Sequence, residues 1–133
     1  MKILIIGFGH LGKCLSAKFL EKGSQVLVMD IKRTRDPAES NSNFFFFEGD
    51  ATKNEVLDKL NFNDIQEIFI CIKRNEAANL LSSLLLLDRG ILNITSAYIN
   101  DLQARVLKLK GVSVLDTAAE TAKMVADYHK ISL

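Results

Sequence analysis

The chain has 133 residues, 48% of them hydrophobic and 25% charged, with a net charge of +1. That length supports a single domain, able to bury about two-thirds of the surface its unfolded chain exposes. The balanced charge excludes a strong electrostatic pull toward nucleic acid or an anionic membrane surface.

The chain opens with "MKILIIGFGHLGKCL". Residues 2–6 are a continuous apolar run of the kind a fully buried parallel strand needs. The run is too short for the core of a signal peptide and passes straight into glycines. Gly7, Gly9 and Gly12 then stand in GxGxxG spacing. The loop Gly7, Phe8, Gly9, His10, Leu11 and Gly12 is therefore the candidate phosphate cradle. Gly7 allows the sharp turn, Gly9 lets the backbone approach a diphosphate, and Gly12 lets the following helix pack on the sheet. Leu11, Leu15, Phe19 and Leu20 recur at helical spacing up to Gly23, a C′ glycine by position.

"QVLVMD" (25–30) is the second strand and closes on Asp30, 18 residues beyond Gly12. That spacing suits a carboxylate that accepts protons from ribose hydroxyls. Asp30, Ile31 and Lys32 form this side of the candidate site. A carboxylate there repels a ribose 2′-phosphate, which favours NAD or an adenine nucleotide over NADP. Lys32 and Arg33 are either cations that would neutralise such a phosphate or solvated loop charges. The polar segment 31–43 holds the one proline and is expected as the longest loop or a short helix.

"FFFFE" (44–48) is a strand, because adjacent phenylalanines favour pleated, two-sided burial. Thr52-x-x-Glu55 has capping-box spacing and opens a short helix through Leu60. "EIFICI" (67–72) is a fourth strand, and 75–89 an apolar helix ended by Gly90. Its "LLSSLLLL" run falls far short of a membrane span. "NITSAYI" (93–99) is a strand, "DLQARVLKLKG" a helix closed by Gly111, and "VSVLD" the last strand. Thr117-x-x-Glu120, a second capping box, starts a helix to about His129. Cys14 and Cys71 fall in a helix and a strand, outside any CxxC pair. Buried free thiols of this kind fit a reducing, cytosolic setting.

Six strands alternate strictly with five helices. This predicts an α/β Rossmann-type, doubly wound six-stranded parallel sheet of order 3-2-1-4-5-6, with helices on both faces.

The chain resembles the nucleotide-binding N-lobe of RCK (regulator of potassium conductance, or KTN) domains, as in TrkA- and KtrA-type subunits. The likeness rests on the first strand with "GFGHLG" and Asp30, on "EGDAT" (48–52) after the third strand, and on "INDLQARVLKLKGV". The resemblance implies a regulatory subunit that binds NAD(H), ATP, ADP or AMP. Such a subunit is a homodimer or larger ring that gates a potassium transporter or channel in the membrane. It is cytoplasmic, at the inner membrane face through its partner. By matching position, Asp50 and Ala51 lie beside the adenine and Ile72 and Lys73 line the adenosine side; Asn79, the family's helix asparagine, is either a further cofactor-binding residue or a polar residue that bonds a neighbouring loop. Two departures weaken triphosphate binding: Ala97 stands where the family often has an arginine or lysine, and His10 replaces a frequent arginine. The family's smaller C-lobe is not part of this sequence, so the expected unit is one N-lobe over 1–133.

The competing class is an NAD-dependent oxidoreductase, and a third is a Rossmann redox sensor outside transport. Dehydrogenases of this fold carry their acids and bases on a second domain or long insertions. Here His10 is misplaced for a nicotinamide-facing base and His129 lies at the far end. Tyr98 has no lysine at short helical spacing, and Tyr128 has Lys130 only two residues on. The sequence therefore reads as a sensor and not an enzyme. Helices 101–110 and 117–129 carry Leu102, Val106, Leu109, Met124, Val125 and Tyr128, which either form a subunit interface or cover the sheet.

Overall fold

The structure, a computed structural model, describes residues 1–97 and 100–132, the last three of these by backbone alone. In chain order it contains β1 (Lys2–Ile6), α1 (His10–Glu21), β2 (Gln25–Asp30), a 3-10 turn (Pro37–Ser40) and β3 (Phe44–Glu48). Next come α2 (Asn54–Leu57), a second such turn (Phe62–Asp64), β4 (Glu67–Ile70) and α3 (Glu76–Asp88). The chain continues through β5 (Ile94–Ala97), α4 (Asp101–Leu109), β6 (Ser113–Leu115) and α5 (Thr117–Ser132). All strands pair in parallel, in the order β3-β2-β1-β4-β5-β6. This is the doubly wound sheet that the alternation of elements predicts.

The sheet divides two cores by the period-2 alternation of its strands. Ile3 and Ile5 point to one side, with Val26, Val28, Phe8 and Phe44, under Leu11, Leu15 and Phe19 of α1. Leu4 and Ile6 point to the other, with Met29, Ile68, Ile70 and Ile94, under Leu57, Leu86 and Leu107 of α2, α3 and α4. The whole of 3–6 is buried, as its unbroken apolar run requires. Phe44 is buried but Phe45 is exposed, because β3 is an edge strand whose outer face has less to cover it.

Several details differ from the sequence reading, each for a local reason. Asp50 accepts both the N–H of Thr52 (2.9 Å) and its hydroxyl (2.6 Å). Thr52 therefore does not cap, and α2 starts later, at Asn54, with no side-chain cap. Asp116, not Thr117, caps α5 by accepting the N–H of Ala119 at 3.0 Å. Segment 31–43 contains a 3-10 turn in which the Asp36 carboxylate accepts the N–H of Ala38 at 2.9 Å. Cys14 is exposed; only Cys71 is a buried thiol. Of the strand expected over 93–99, Ile94–Ala97 is observed, and Tyr98 and Ile99 lie outside the described residues. Residues 118–129 of α5 are exposed throughout, so the described part of this helix does not cover the sheet.

Burial pushes the Cys71 thiol up to about 12, against the opposing charge of Lys73. The raised value keeps Cys71 protonated in the folded protein while an unfolded thiol ionises near 9. Stability from this group is complete below pH 9 and is lost as pH rises from 9 toward 12. At pH 8 a thiol-reactive disulfide reagent should titrate Cys14 promptly and Cys71 only on unfolding. Two equally fast thiols in the native protein would contradict this burial.

Candidate functional site

The site lies where the sheet changes direction, between β1 and its two neighbours β2 and β4. Three hydrogen bonds continue the ladder beyond the strand ends: Gly7 N to Met29 O (2.8 Å), Cys71 N to Ile6 O (2.7 Å) and Gly49 N to Asp30 O (2.8 Å). The glycine loop is thus clamped from both sides before it turns. Gly7 has φ +100°, where any side chain is strained, and a Cβ there would sit 2.9 Å from the carbonyl carbon of Cys71. A Cβ on Gly12 would lie 2.1 Å from the carbonyl oxygen of Gly7. Helix α1 can approach the sheet at this angle only because residue 12 has no side chain.

Gly9 is different. Nothing lies within 4 Å of the place its Cβ would take, so the backbone there borders open space. It is also the N-cap residue of α1, and no side chain caps that turn. The N–H groups of a helix's first turn have no partner within the helix. Those of α1 are left for an external acceptor, and the partial positive charge at this end favours an anion. The cradle fits a phosphate.

Asp30 ties the two halves of the site together. Its Oδ2 accepts the N–H of Phe8 at 2.8 Å, and its Oδ1 accepts the N–H of Ile31 at 2.7 Å. A carboxylate has about four lone-pair sites, so these two bonds leave capacity for sugar hydroxyls. Phe8 contributes its backbone only: its ring is buried against Phe44 and Phe46, 5.8 Å from each. Lys13 sits 5.7 Å over that ring. His10 is exposed, its Nε2 at 3.8 Å from Cys14 Sγ, while Leu11 packs into the core under α1. Ile31 and Lys32 are exposed beside Asp30. Arg33 pairs with Glu39 at 3.3 Å and lies 5.6 Å over the Phe46 ring, which engages one of the two cations available to a 2′-phosphate.

At the end of β3, Asp50 is held below the usual carboxylate range by the hydroxyl and N–H of Thr52. Ala51 is buried in the core beside it. At the end of β4, Ile72 is half-buried, and Lys73 Nζ donates to Thr117 Oγ1 at 2.8 Å. Asn79 is fully buried: its Nδ2 donates to the carbonyls of Ile72 (2.8 Å) and Ala97 (3.2 Å), and its Oδ1 accepts from Ser96 Oγ at 2.6 Å. Its polar atoms are spent on joining the ends of β4 and β5. Ser96 and Thr117, both missed in the sequence, complete these two links. Ser96 carries no spacing signal, and the Thr117-x-x-Glu120 spacing points to a helix cap and not to the bond with Lys73.

A doubly wound sheet with an uncapped helix at its switch point and an acid closing β2 defines a Rossmann-type α/β domain. Residues 3–118 match the TrkA-N domain family model, and the chain belongs to that family. It is 27% identical over 123 residues to the Ktr system potassium uptake protein C of Bacillus subtilis (strain 168), covering 92% of this chain and 56% of that protein. Among solved structures, the AMP-bound form of the Shewanella denitrificans Kef CTD superposes with a TM-score of 0.73, at 19% identity over 92% of this chain and 75% of that one. The GsuK channel bound to NAD superposes at 0.68, with 20% identity over 86% of this chain and 21% of that one. These two likenesses establish the shared fold.

Replacing Asn79 by alanine removes its bonds to the Ile72 and Ala97 carbonyls and to the Ser96 hydroxyl. Stability should fall by about 2–4 kcal/mol, read by urea denaturation. A loss under about 0.5 kcal/mol would show that Asn79 does not hold the β4 and β5 ends together.

Proposed function

We propose that this chain is the nucleotide-sensing lobe of a regulatory subunit in a potassium transport system. The observation that carries the reading is the cradle: an uncapped α1 N-terminus beside Gly9, locked to Asp30 through the Phe8 N–H. In this reading the free N–H groups of α1 take the phosphates, and Asp30 takes the ribose hydroxyls, with Ile31 and Lys32 beside it. Asp50 and Ala51 border the adenine, and Ile72 and Lys73 the other side of the adenosine. Asn79 positions the β4 exit without touching the ligand. The ligand is NAD(H) or an adenine nucleotide (ADP, AMP or ATP), the triphosphate being disfavoured by Ala97 and His10.

The family and its relatives supply the rest. A relative named as a potassium uptake protein, and a channel structure bound to NAD, support a membrane potassium transporter or channel as partner. The chain spans 56% of that uptake protein's length, so its gating of a partner belongs to this proposal. Among the described residues no helix is long and apolar enough to cross a membrane. The lobe is cytoplasmic and reaches the membrane through its partner. The reading as a sensor rather than an enzyme rests on the match to the TrkA-N family over residues 3–118. Leu102, Leu109, Met124 and Val125 are all exposed on α4 and α5, which supports assembly into a dimer or larger ring through these helices.

Function follows from differential affinity. A ligand moves a conformational equilibrium only by the difference in its affinity for the two states. Ligands that fill the crevice to different extents press differently on the β4 exit and hence on the elements after it.

Thermal denaturation with NAD, NADH, ADP, AMP, ATP and NADP is the test. A ligand at 100 times its dissociation constant stabilises by ~2.7 kcal/mol. For a domain of this size that is a rise of about 8–10 °C. NAD or ADP should give it, NADP less, and Asp30→Ala none. No shift with any adenine nucleotide would overturn the reading.

A further inference from the structure

Lys73 leaves the end of β4 and donates to Thr117 Oγ1 at 2.8 Å. In the sheet, β5 lies between β4 and β6. Neighbouring strands stand about 4.8 Å apart. The bond therefore joins two strand ends about 10 Å apart, across the C-terminal edge of the strand between them. Capping does not require it, since Asp116 already caps α5 and the Thr117 hydroxyl is free to be held elsewhere.

This fold carries two mononucleotide halves, met at the switch point. Asp30 and Asp50, at the ends of β2 and β3, belong to the first half. The Lys73–Thr117 bond closes over the second, formed by β4, β5 and β6. We propose that Lys73 and Thr117 form a strap that selects ligands by extent: an adenine mononucleotide fits beside it, whereas the second half of a dinucleotide must draw Lys73 away from Thr117. The proposal rests on the nucleotide-site reading above and adds to it which residues distinguish the ligands.

The strap also gives a ligand a route to α5. Thr117 is the first residue of that helix, and its carbonyl accepts the hydroxyl of Thr121 at 2.7 Å. Opening the strap frees the start of a helix whose residues 118–129 are exposed. A dinucleotide reaches α5 this way; a mononucleotide leaves it tethered.

Thr117→Val removes the acceptor while keeping the shape of the side chain. One exposed hydrogen bond between uncompensated partners corresponds to roughly a 3–10-fold change in affinity. Isothermal titration of this variant should show NAD binding ~3–10-fold tighter than in the wild type, with ADP and AMP changed less than about twofold. Hydrogen exchange in the first turn of α5 should speed up on adding NAD to the wild type, and not on adding ADP. In Thr117→Val it should be fast without ligand. Thr117→Ser keeps the hydroxyl and should restore the wild-type ratio. If the valine variant does not fold by circular dichroism, Thr117→Ala carries the same comparison. An unchanged ratio of NAD to ADP affinity in a folded variant would overturn the strap and leave the nucleotide site intact. A wild-type protein that binds none of the three would overturn both.

Discussion

Everything in this molecule follows from one close approach, that of helix α1 to the turn that precedes it. The position a Cβ on Gly12 would take is 2.1 Å from the carbonyl oxygen of Gly7, so only glycine allows it. Because α1 comes in so near, its N-terminus points over the end of β1 and its first N–H groups border open space at Gly9. The carboxylate of Asp30 then locks that geometry by taking the Phe8 N–H across the gap to β2. A helix N-terminus with free N–H groups, suited to an anion, thus arises from close packing together with one carboxylate.

The far side of the crevice is built by a different means. Here a buried amide does what close packing does on the near side. Asn79 spends its hydrogen bonds on the Ile72 and Ala97 carbonyls and the Ser96 hydroxyl, which fixes the exits of β4 and β5 relative to each other. A fully satisfied buried polar network is rigid and specifies one arrangement, whereas an exposed lysine–threonine contact is weak enough to open. The exits of β4 and β5 are therefore stiffly joined, while the Lys73–Thr117 contact toward β6 is the weaker of the two links.

Much of this was legible in the sequence, and the reasons are physical. The unbroken run at 3–6, the glycine spacing and the acid at the end of the second apolar run each state a local requirement that few other folds make. The strand order followed from strict alternation and the handedness of crossovers. Helix starts were less legible, because two acids compete with the threonines expected to cap. Asp50 draws the Thr52 hydroxyl to itself, and Asp116 takes the α5 N-terminus one residue before Thr117. The exposure of Cys14 and of α5 was hidden too, since an amphipathic pattern shows which residues share a helix face and not whether that face meets the sheet. Lys73 with Thr117, and Asn79 with Ser96, are brought together by tertiary structure alone; their separations along the chain carry no period.

The family fixes the fold and the general business of the chain, and the local geometry says which atoms do it. Potassium enters only through relatives and partner; nucleotide enters through residues that can be named and changed. The most direct measurement of that central claim is a crystal structure grown with saturating NAD or ADP. The account predicts a diphosphate seated on the N–H groups of His10, Leu11 and Gly12, with a ribose hydroxyl on the Asp30 carboxylate. Clear density for the nucleotide elsewhere, or a crevice left empty at saturation, would contradict it.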